Sequence, residues 1–131
     1  MRNFFIATIV VALGVLPATT ELFGQTYEVT PKETRALMNK DTNIVVLDVR
    51  SQMEYNEERI ANTPLMPLQF VEKRIADLQI FKKKKIIVYC HSGNRSELAV
   101  EILREHGFNA YNMNGGILRW KAERFPTITG K

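Results

Sequence analysis

The hydrophobic pattern of the chain changes character near residue 25. Residues 4–16 form one unbroken apolar run without a charge. From residue 27 onward, short apolar runs of strand length alternate with stretches whose apolar positions recur every three or four residues. Ile44-Val45-Val46-Leu47 and Ile86-Ile87-Val88-Tyr89 are apolar at successive positions and rich in β-branched residues. That is the pattern of strands covered on both faces. Tyr27-Glu28-Val29 and Ala110-Tyr111-Asn112-Met113 are further strand candidates. Pro64-Leu65-Met66-Pro67-Leu68 allows only a short or edge strand, because its prolines have no N–H for a ladder.

Helical signals fill the gaps. Thr30 can cap a helix that begins at Pro31, with Glu33 completing a capping box and Leu37 and Met38 on its apolar face. Ser51-Gln52-Met53-Glu54 is a second capping box, opening a helix to about Glu58. Phe70, Val71, Ile75 and Leu78 predict one amphipathic helix, with Glu72, Lys73, Arg74 and Asp77 on its outer side. Leu98, Ala99, Ile102 and Leu103 line a helix over residues 96–106, closed by Gly107. Asn114-Gly115-Gly116 turns into a final helix with Ile117, Leu118 and Trp120, the last a core residue by its spacing. Strand–helix alternation predicts an α/β fold with a central, mostly parallel sheet of about five strands and helices on both faces. Ligands bind such sheets at the carboxyl ends of the strands, where Asp48 and Cys90 both fall.

The 131 residues suffice for one ordinary domain. A hydrophobic fraction of 45% and a charged fraction of 24% are those of a globular protein, and the net charge of +4 favours anionic small molecules. The basic run at residues 82–85 has no interleaved aromatic residues and reads as a solvated loop, so no nucleic-acid partner is expected. At the N-terminus, Met1-Arg2-Asn3 carries the positive charge that precedes the apolar run, and Pro17-Ala18-Thr19-Thr20 ends it. This is the plan of a signal peptide over residues 1–24, with cleavage after Thr20 or Gly24, leaving residues 25–131 as the domain. The run is shorter than the roughly 20 residues of a membrane span. The expectation is therefore an exported protein, bacterial periplasmic or secreted, with no stable membrane insertion once the leader is removed.

Cys90 is the only cysteine, so it has no internal disulfide partner. It stands where the strand at residues 86–89 passes into a polar loop and then a helix. A thiol there meets free backbone N–H groups and the positive end of a helix dipole, which lower its pKa and favour a bound anion. Gly93 permits backbone angles that turn consecutive N–H groups inward. Arg95 offers permanent charge and several donors to a tetrahedral oxyanion. The Ser92 and Ser96 hydroxyls can bond the sulfur or an anion, and Ser96 can also cap the helix. His91 either adds charge when protonated or faces solvent. Four residues separate Cys90 from Arg95, one fewer than in tyrosine-phosphatase-type loops, so the cradle suits a sulfur atom better than a phosphate ester.

Taken together, Leu47-Asp48-Val49-Arg50 with Glu54-Tyr55, the run Tyr89-Cys90-His91-Ser92-Gly93-Asn94-Arg95-Ser96, and Tyr111-Asn112-Met113-Asn114-Gly115-Gly116-Ile117 with Trp120 resemble the rhodanese family, specifically its single-domain sulfurtransferases. The resemblance runs over about residues 28–124. It implies that Cys90 is the nucleophile of a two-step covalent reaction using neither metal nor organic cofactor. In that reaction a small anionic sulfur donor such as thiosulfate leaves a persulfide on Cys90, and cyanide, a thiol or a protein acceptor takes the sulfur. Residues 91–96, including Asn94, would form the anion-binding loop, braced by Asp48 and Arg50. For Arg50 an ion pair with Glu54 that orders the helix start is an equally open role. The chain departs from the family at Glu58-Arg59-Ile60-Ala61-Asn62-Thr63, in place of a Gly-His-Ile then Gly-Ala pattern, and at His91, where thiosulfate-using relatives often carry Arg. Two other classes fit the same loop: a non-catalytic binding or persulfide-carrier module, and a phosphatase or arsenate reductase. The four-residue spacing argues against a phosphatase, and the lack of a second cysteine leaves an arsenate reductase without an internal resolving thiol.

Overall fold

Strands form where β-branched and aromatic residues follow one another. They are β1 (Glu28–Val29), β2 (Ile44–Asp48), β3 (Lys85–Tyr89) and β4 (Asn109–Met113). The computed structural model describes residues 26–41 and 43–131, and the leader expected over residues 1–24 lies outside them. The strands make one wholly parallel sheet in the order β1-β4-β3-β2. Among the described residues the sheet has four strands, not the expected five. Residues 64–68 contribute a single bridge, Asp48 with Leu65, held by Asp48 N–H to Pro64 O at 2.9 Å and Met66 N–H to Asp48 O at 2.9 Å. Pro64 and Pro67 flank it and cannot donate, so the ladder stops there.

Helices cover both faces: α1 (Pro31–Lys40), α2 (Gln52–Glu57), α3 (Leu68–Val71), α4 (Asn94–Glu105) and α5 (Gly116–Ala122). The Thr30 hydroxyl caps α1 by accepting Glu33 N–H at 3.0 Å. At α2 the capping box is reciprocal, with Glu54 N–H to Ser51 Oγ and Ser51 N–H to Glu54 Oε1, both 3.2 Å. The helix expected across Phe70, Val71, Ile75 and Leu78 is broken. After α3 the chain turns, and residues Ile75–Phe81 form a 3₁₀ helix. Ile75, Leu78 and Phe81 recur every third residue, which matches three residues per turn and puts all three against the core.

The pleat of β3 divides the interior. Ile86, Val88 and Cys90 point into a cluster with Ala99, Leu103 and Val71 beneath α3 and α4, while Ile87 and Tyr89 join Met113, Ile117 and Trp120 on the α1 and α5 side. Full burial of each aliphatic side chain contributes roughly 1.5–3 kcal/mol. Trp120 lies in this core as its spacing suggested, its indole N–H donating to Pro126 O at 2.9 Å. Among the described residues no helix is long and apolar enough to cross a membrane.

Candidate active site

Because all four strands run the same way, Asp48, Tyr89 and Met113 end at one edge of the sheet. The loop after Tyr89 is fastened there from two directions. The first turn of α5 reaches down to it, with Ile117 N–H to Cys90 O at 2.9 Å and Leu118 N–H to His91 O at 3.1 Å. From β4, the buried Asn112 side chain donates through Nδ2 to Gly93 O at 3.1 Å. Gly93 itself has φ +107°, a conformation open to glycine, and this turns its N–H towards the sulfur before α4 begins.

Cys90 is 1% exposed. Its sulfur accepts Gly93 N–H at 3.1 Å and the Ser96 hydroxyl at 3.3 Å. Burial pushes the thiol pKa up. The Ser96 hydroxyl and the N–H groups of Ser96, Gly93 and Ser92 outweigh it, so the thiol titrates below its ordinary value. Ser96 is not the helix cap. Gly93 occupies that position without a side-chain bond, α4 starts at Asn94, and Ser96 sits buried in the first turn. Its hydroxyl also lies 2.6 Å from Asn112 Oδ1. Ser92 and Asn94 are exposed, and of Ser92 it is the backbone N–H that turns to the sulfur.

Charge around the loop is paired. Arg95 makes a two-pronged ion pair with Glu54, Nη1 to Oε1 at 2.8 Å and Nη2 to Oε2 at 2.9 Å. It therefore buttresses the loop against α2, and its guanidinium is committed to a carboxylate. Arg50 does not pair with Glu54. It is 4% exposed and clasps Asp48, Nη2 to Oδ2 at 2.7 Å, while Nη2 also donates to Glu58 O at 2.6 Å. Glu54 is unavailable to it, already holding Ser51 and Arg95. Asp48 and Arg50 support the loop indirectly: Asp48 is the register partner of Tyr89, and the Arg50 guanidinium lies 5.6 Å from the Tyr89 ring centre. The Tyr89 phenol, pushed well up in pKa by burial and next by the Asp48 charge, meets Thr63 Oγ1 at 3.1 Å and Ile60 N–H at 3.3 Å. His91 is exposed on a cavity of about 220 Å³ shared with Arg50, Glu54, Glu57, Glu58, Ile117 and Lys121. Lys121 there is paired with Glu58 at 2.7 Å.

The Arg95 ion pair holds the Glu54 carboxyl at a pKa of about 2, against an ordinary 4.5; burial opposes this and the Ser51 N–H and hydroxyl add to it. A carboxylate with a depressed folded pKa stabilises fully above its unfolded pKa, and that stabilisation fades as pH falls from 4.5 towards 2. The side chains are 38% and 31% exposed, so solvent screening reduces the effect to about 1 kcal/mol. Glu54→Gln should be less stable by that amount at pH 7 and should lose less stability between pH 4.5 and 2. Urea titrations of both proteins at pH 7 and pH 3 decide it; parallel losses on acidification would contradict the assignment.

The site includes Glu54, Asn112 and Gly116, which sequence reasoning left outside it. The signal for Glu54 was masked by its cap role. Asn112 was read as a strand residue, although a carboxamide in an otherwise apolar buried strand needs polar partners. Among the described residues no group of three or more His, Cys, Asp or Glu side chains could share a metal ion.

The chain is a member of the rhodanese family: the Rhodanese-like domain matches residues 30–123. The thiosulfate sulfurtransferase GlpE of Coxiella burnetii is 37% identical to it over 89 residues, 67% of this chain and 80% of GlpE. The tRNA uridine(34) hydroxylase of Cytophaga hutchinsonii is 36% identical over 99 residues, 72% of this chain but 31% of the hydroxylase, so the chain spans under a third of that relative. The crystal structure of a rhodanese-related protein from Thermoplasma volcanium matches with a TM-score of 0.70 at 31% identity, covering 77% of this chain and 96% of that one.

Proposed function

We propose that the protein is a sulfurtransferase that carries sulfane sulfur on Cys90. The observation that carries this reading is the set of donors converging on the Cys90 sulfur, Gly93 N–H at 3.1 Å and Ser96 Oγ at 3.3 Å, in a loop one residue shorter than a phosphate-ester cradle. Thiosulfate is the proposed donor, supported by the similarity to GlpE over 80% of its length. The Cys90 thiolate attacks the outer sulfur of thiosulfate. The new S–S bond forms as the old one breaks, and sulfite leaves with the bonding pair. The same N–H groups then hold the persulfide anion. Cyanide or a thiol attacks its outer sulfur, forming thiocyanate or a new persulfide and returning the thiolate. With Arg95, Arg50 and Lys121 each held by a carboxylate, the donor's charge is met by N–H dipoles rather than by a free cation.

Incubation with thiosulfate should add the mass of one sulfur to Cys90, and cyanide should remove it as thiocyanate. Absence of both would end the proposal. The 1% exposure of Cys90 favours a second reading within the same chemistry, a persulfide carrier for a protein acceptor, because a buried inner sulfur is shielded from stray thiols. Slow release to cyanide with fast release to a protein thiol would select it.

The site of action belongs to the same proposal: export through the leader over residues 1–24, giving a periplasmic or secreted protein. Intact mass of the exported form should correspond to a chain starting at Glu21 or Gln25. A full-length mass in that fraction would overturn it.

A further inference from the structure

The Ser96 hydroxyl carries one hydrogen and faces two acceptors. One is the Cys90 sulfur at 3.3 Å, the other the Asn112 carboxamide oxygen at 2.6 Å. All three groups are buried: Ser96 is 0%, Asn112 4% and Cys90 1% exposed. The amide cannot turn to relieve the conflict. Its Nδ2 donates to Gly93 O at 3.1 Å, and a flipped amide would set two oxygens against each other there. Asn112 Oδ1 is thereby aimed at Ser96, and the shorter contact marks the acceptor that holds the proton. We propose that Asn112 is a positioning residue that draws the Ser96 hydroxyl proton away from the Cys90 sulfur, so that two acceptors compete for one proton and the outcome tunes the reactivity of the thiol.

Ionisation of Cys90 shifts this balance. A thiolate is the stronger acceptor, and the hydroxyl can rotate to it without any covalent change. Asn112 Oδ1 is then left buried without a donor, at a cost that works against the thiolate. The donations from Gly93 and from the Ser92 and Ser96 backbone are not contested. The sulfur thus keeps a depressed pKa from N–H groups and from the Ser96 hydroxyl, whose help is reduced by its competing bond to Asn112. A thiolate with a pKa nearer ambient pH is also the better nucleophile towards sulfur. The charged and titratable groups around Cys90 and Asn112 are the Asp48–Arg50 pair on β2, the Glu54–Arg95 pair between α2 and α4, Tyr89 on β3, His91 in the loop, Lys121 on α5 held by Glu58, and, on the cavity beside Asn112, Tyr27, Glu28 on β1, and Glu97 and Glu101 on α4. The Asn112 carboxamide and the Ser96 hydroxyl bond instead to each other, to Gly93 O and to the Cys90 sulfur.

The test reads the thiol directly, as the pH dependence of Cys90 alkylation by iodoacetamide. Ser96→Ala should raise the midpoint by well under one pH unit, because the proton it removes is shared with Asn112. Asn112→Leu should release that proton to the sulfur, lower the midpoint by about one pH unit and raise alkylation about tenfold below it. Ser96→Ala combined with Asn112→Leu should return the midpoint to that of Ser96→Ala. A rise of a full unit in Ser96→Ala alone would overturn the inference, and that near-isosteric variant decides the matter even if Asn112→Leu folds poorly. Persistence of the Asn112→Leu shift in the double variant would overturn it too. The functional consequence rests on Cys90 being the reacting group in sulfur transfer. If alkylation follows this pattern while no sulfur reaches Cys90 from thiosulfate, the sulfurtransferase reading fails and the proton competition stands.

Discussion

Cys90→Ser is expected to abolish sulfur transfer while leaving the fold in place. A serine hydroxyl is not ionised at neutral pH even among the donors of this loop, and oxygen cannot form the persulfide on which both half-reactions of the proposed sulfur transfer depend. Thiocyanate production should fall by more than about 10³-fold, and no sulfur adduct should appear by mass. The substitution is close to isosteric, and the serine oxygen can accept Gly93 N–H where the sulfur did, at 3.1 Å. Stability should change by no more than about 1 kcal/mol in urea. Activity within tenfold of the parent would remove Cys90 from the reaction and direct attention to a function of the fold surface.

Gly116→Ala should be the most damaging substitution that touches no reacting atom. Gly116 has φ +60°, and a Cβ there would lie 2.4 Å from His91 O, 2.5 Å from His91 C and 2.6 Å from Cys90 O. These are backbone atoms and cannot swing aside. Relief requires the α5 turn and the thiol loop to separate, breaking Ile117 N–H to Cys90 O and Leu118 N–H to His91 O. The expected loss is about 3–5 kcal/mol, with Cys90 alkylation losing its low-pH reactivity in whatever fraction folds. Gly130 supplies the control. Its φ is +107° and nothing lies within 4 Å of an added Cβ, so Gly130→Ala should cost only the backbone conformation, about 1–2 kcal/mol. Equal stabilities for the two variants would show that the close approach at Gly116 is relieved without cost.

What could be read from the sequence was whatever depends on neighbours in the chain. The caps at Thr30 and Ser51, the continuous apolar strands β2 and β3, and the thiol at the start of a helix are local features, and all are found. What could not be read depends on partners far along the chain. Glu54 meets Arg95 across 41 residues because β2 and β3 lie side by side and bring α2 against α4. A sequence window shows only the i,i+4 option, Arg50 with Glu54, and the fold overrides it by giving each residue a nearer or better-placed partner. Ser96 looked like a cap because caps are commonly serine. Glycine took the position since the N–H groups at that end serve the sulfur, and the hydroxyl was free for the interior. Leu65 keeps only a single bridge to Asp48 because of the prolines beside it, and the spacing of Ile75, Leu78 and Phe81 by threes marks the 3₁₀ helix more strongly than Phe70 and Val71 mark an α-helix.

The order of the strands governs when the thiol becomes reactive during folding. β1 pairs with β4, so Glu28 finds its register partner at Asn112, and Asn114 N–H reaches back to Val29 O at 2.8 Å. The first strand of the domain therefore waits for the last, a pairing of high sequence separation that forms late. β3, the loop and α4 are contiguous and can assemble early, whereas Asn112 and the Gly116 turn arrive with β4, whose outer edge is covered only when β1 docks. A nascent chain thus carries Cys90 in a loop whose backbone is not yet fixed, and the sulfur's donors are locked in place only as the sheet is completed.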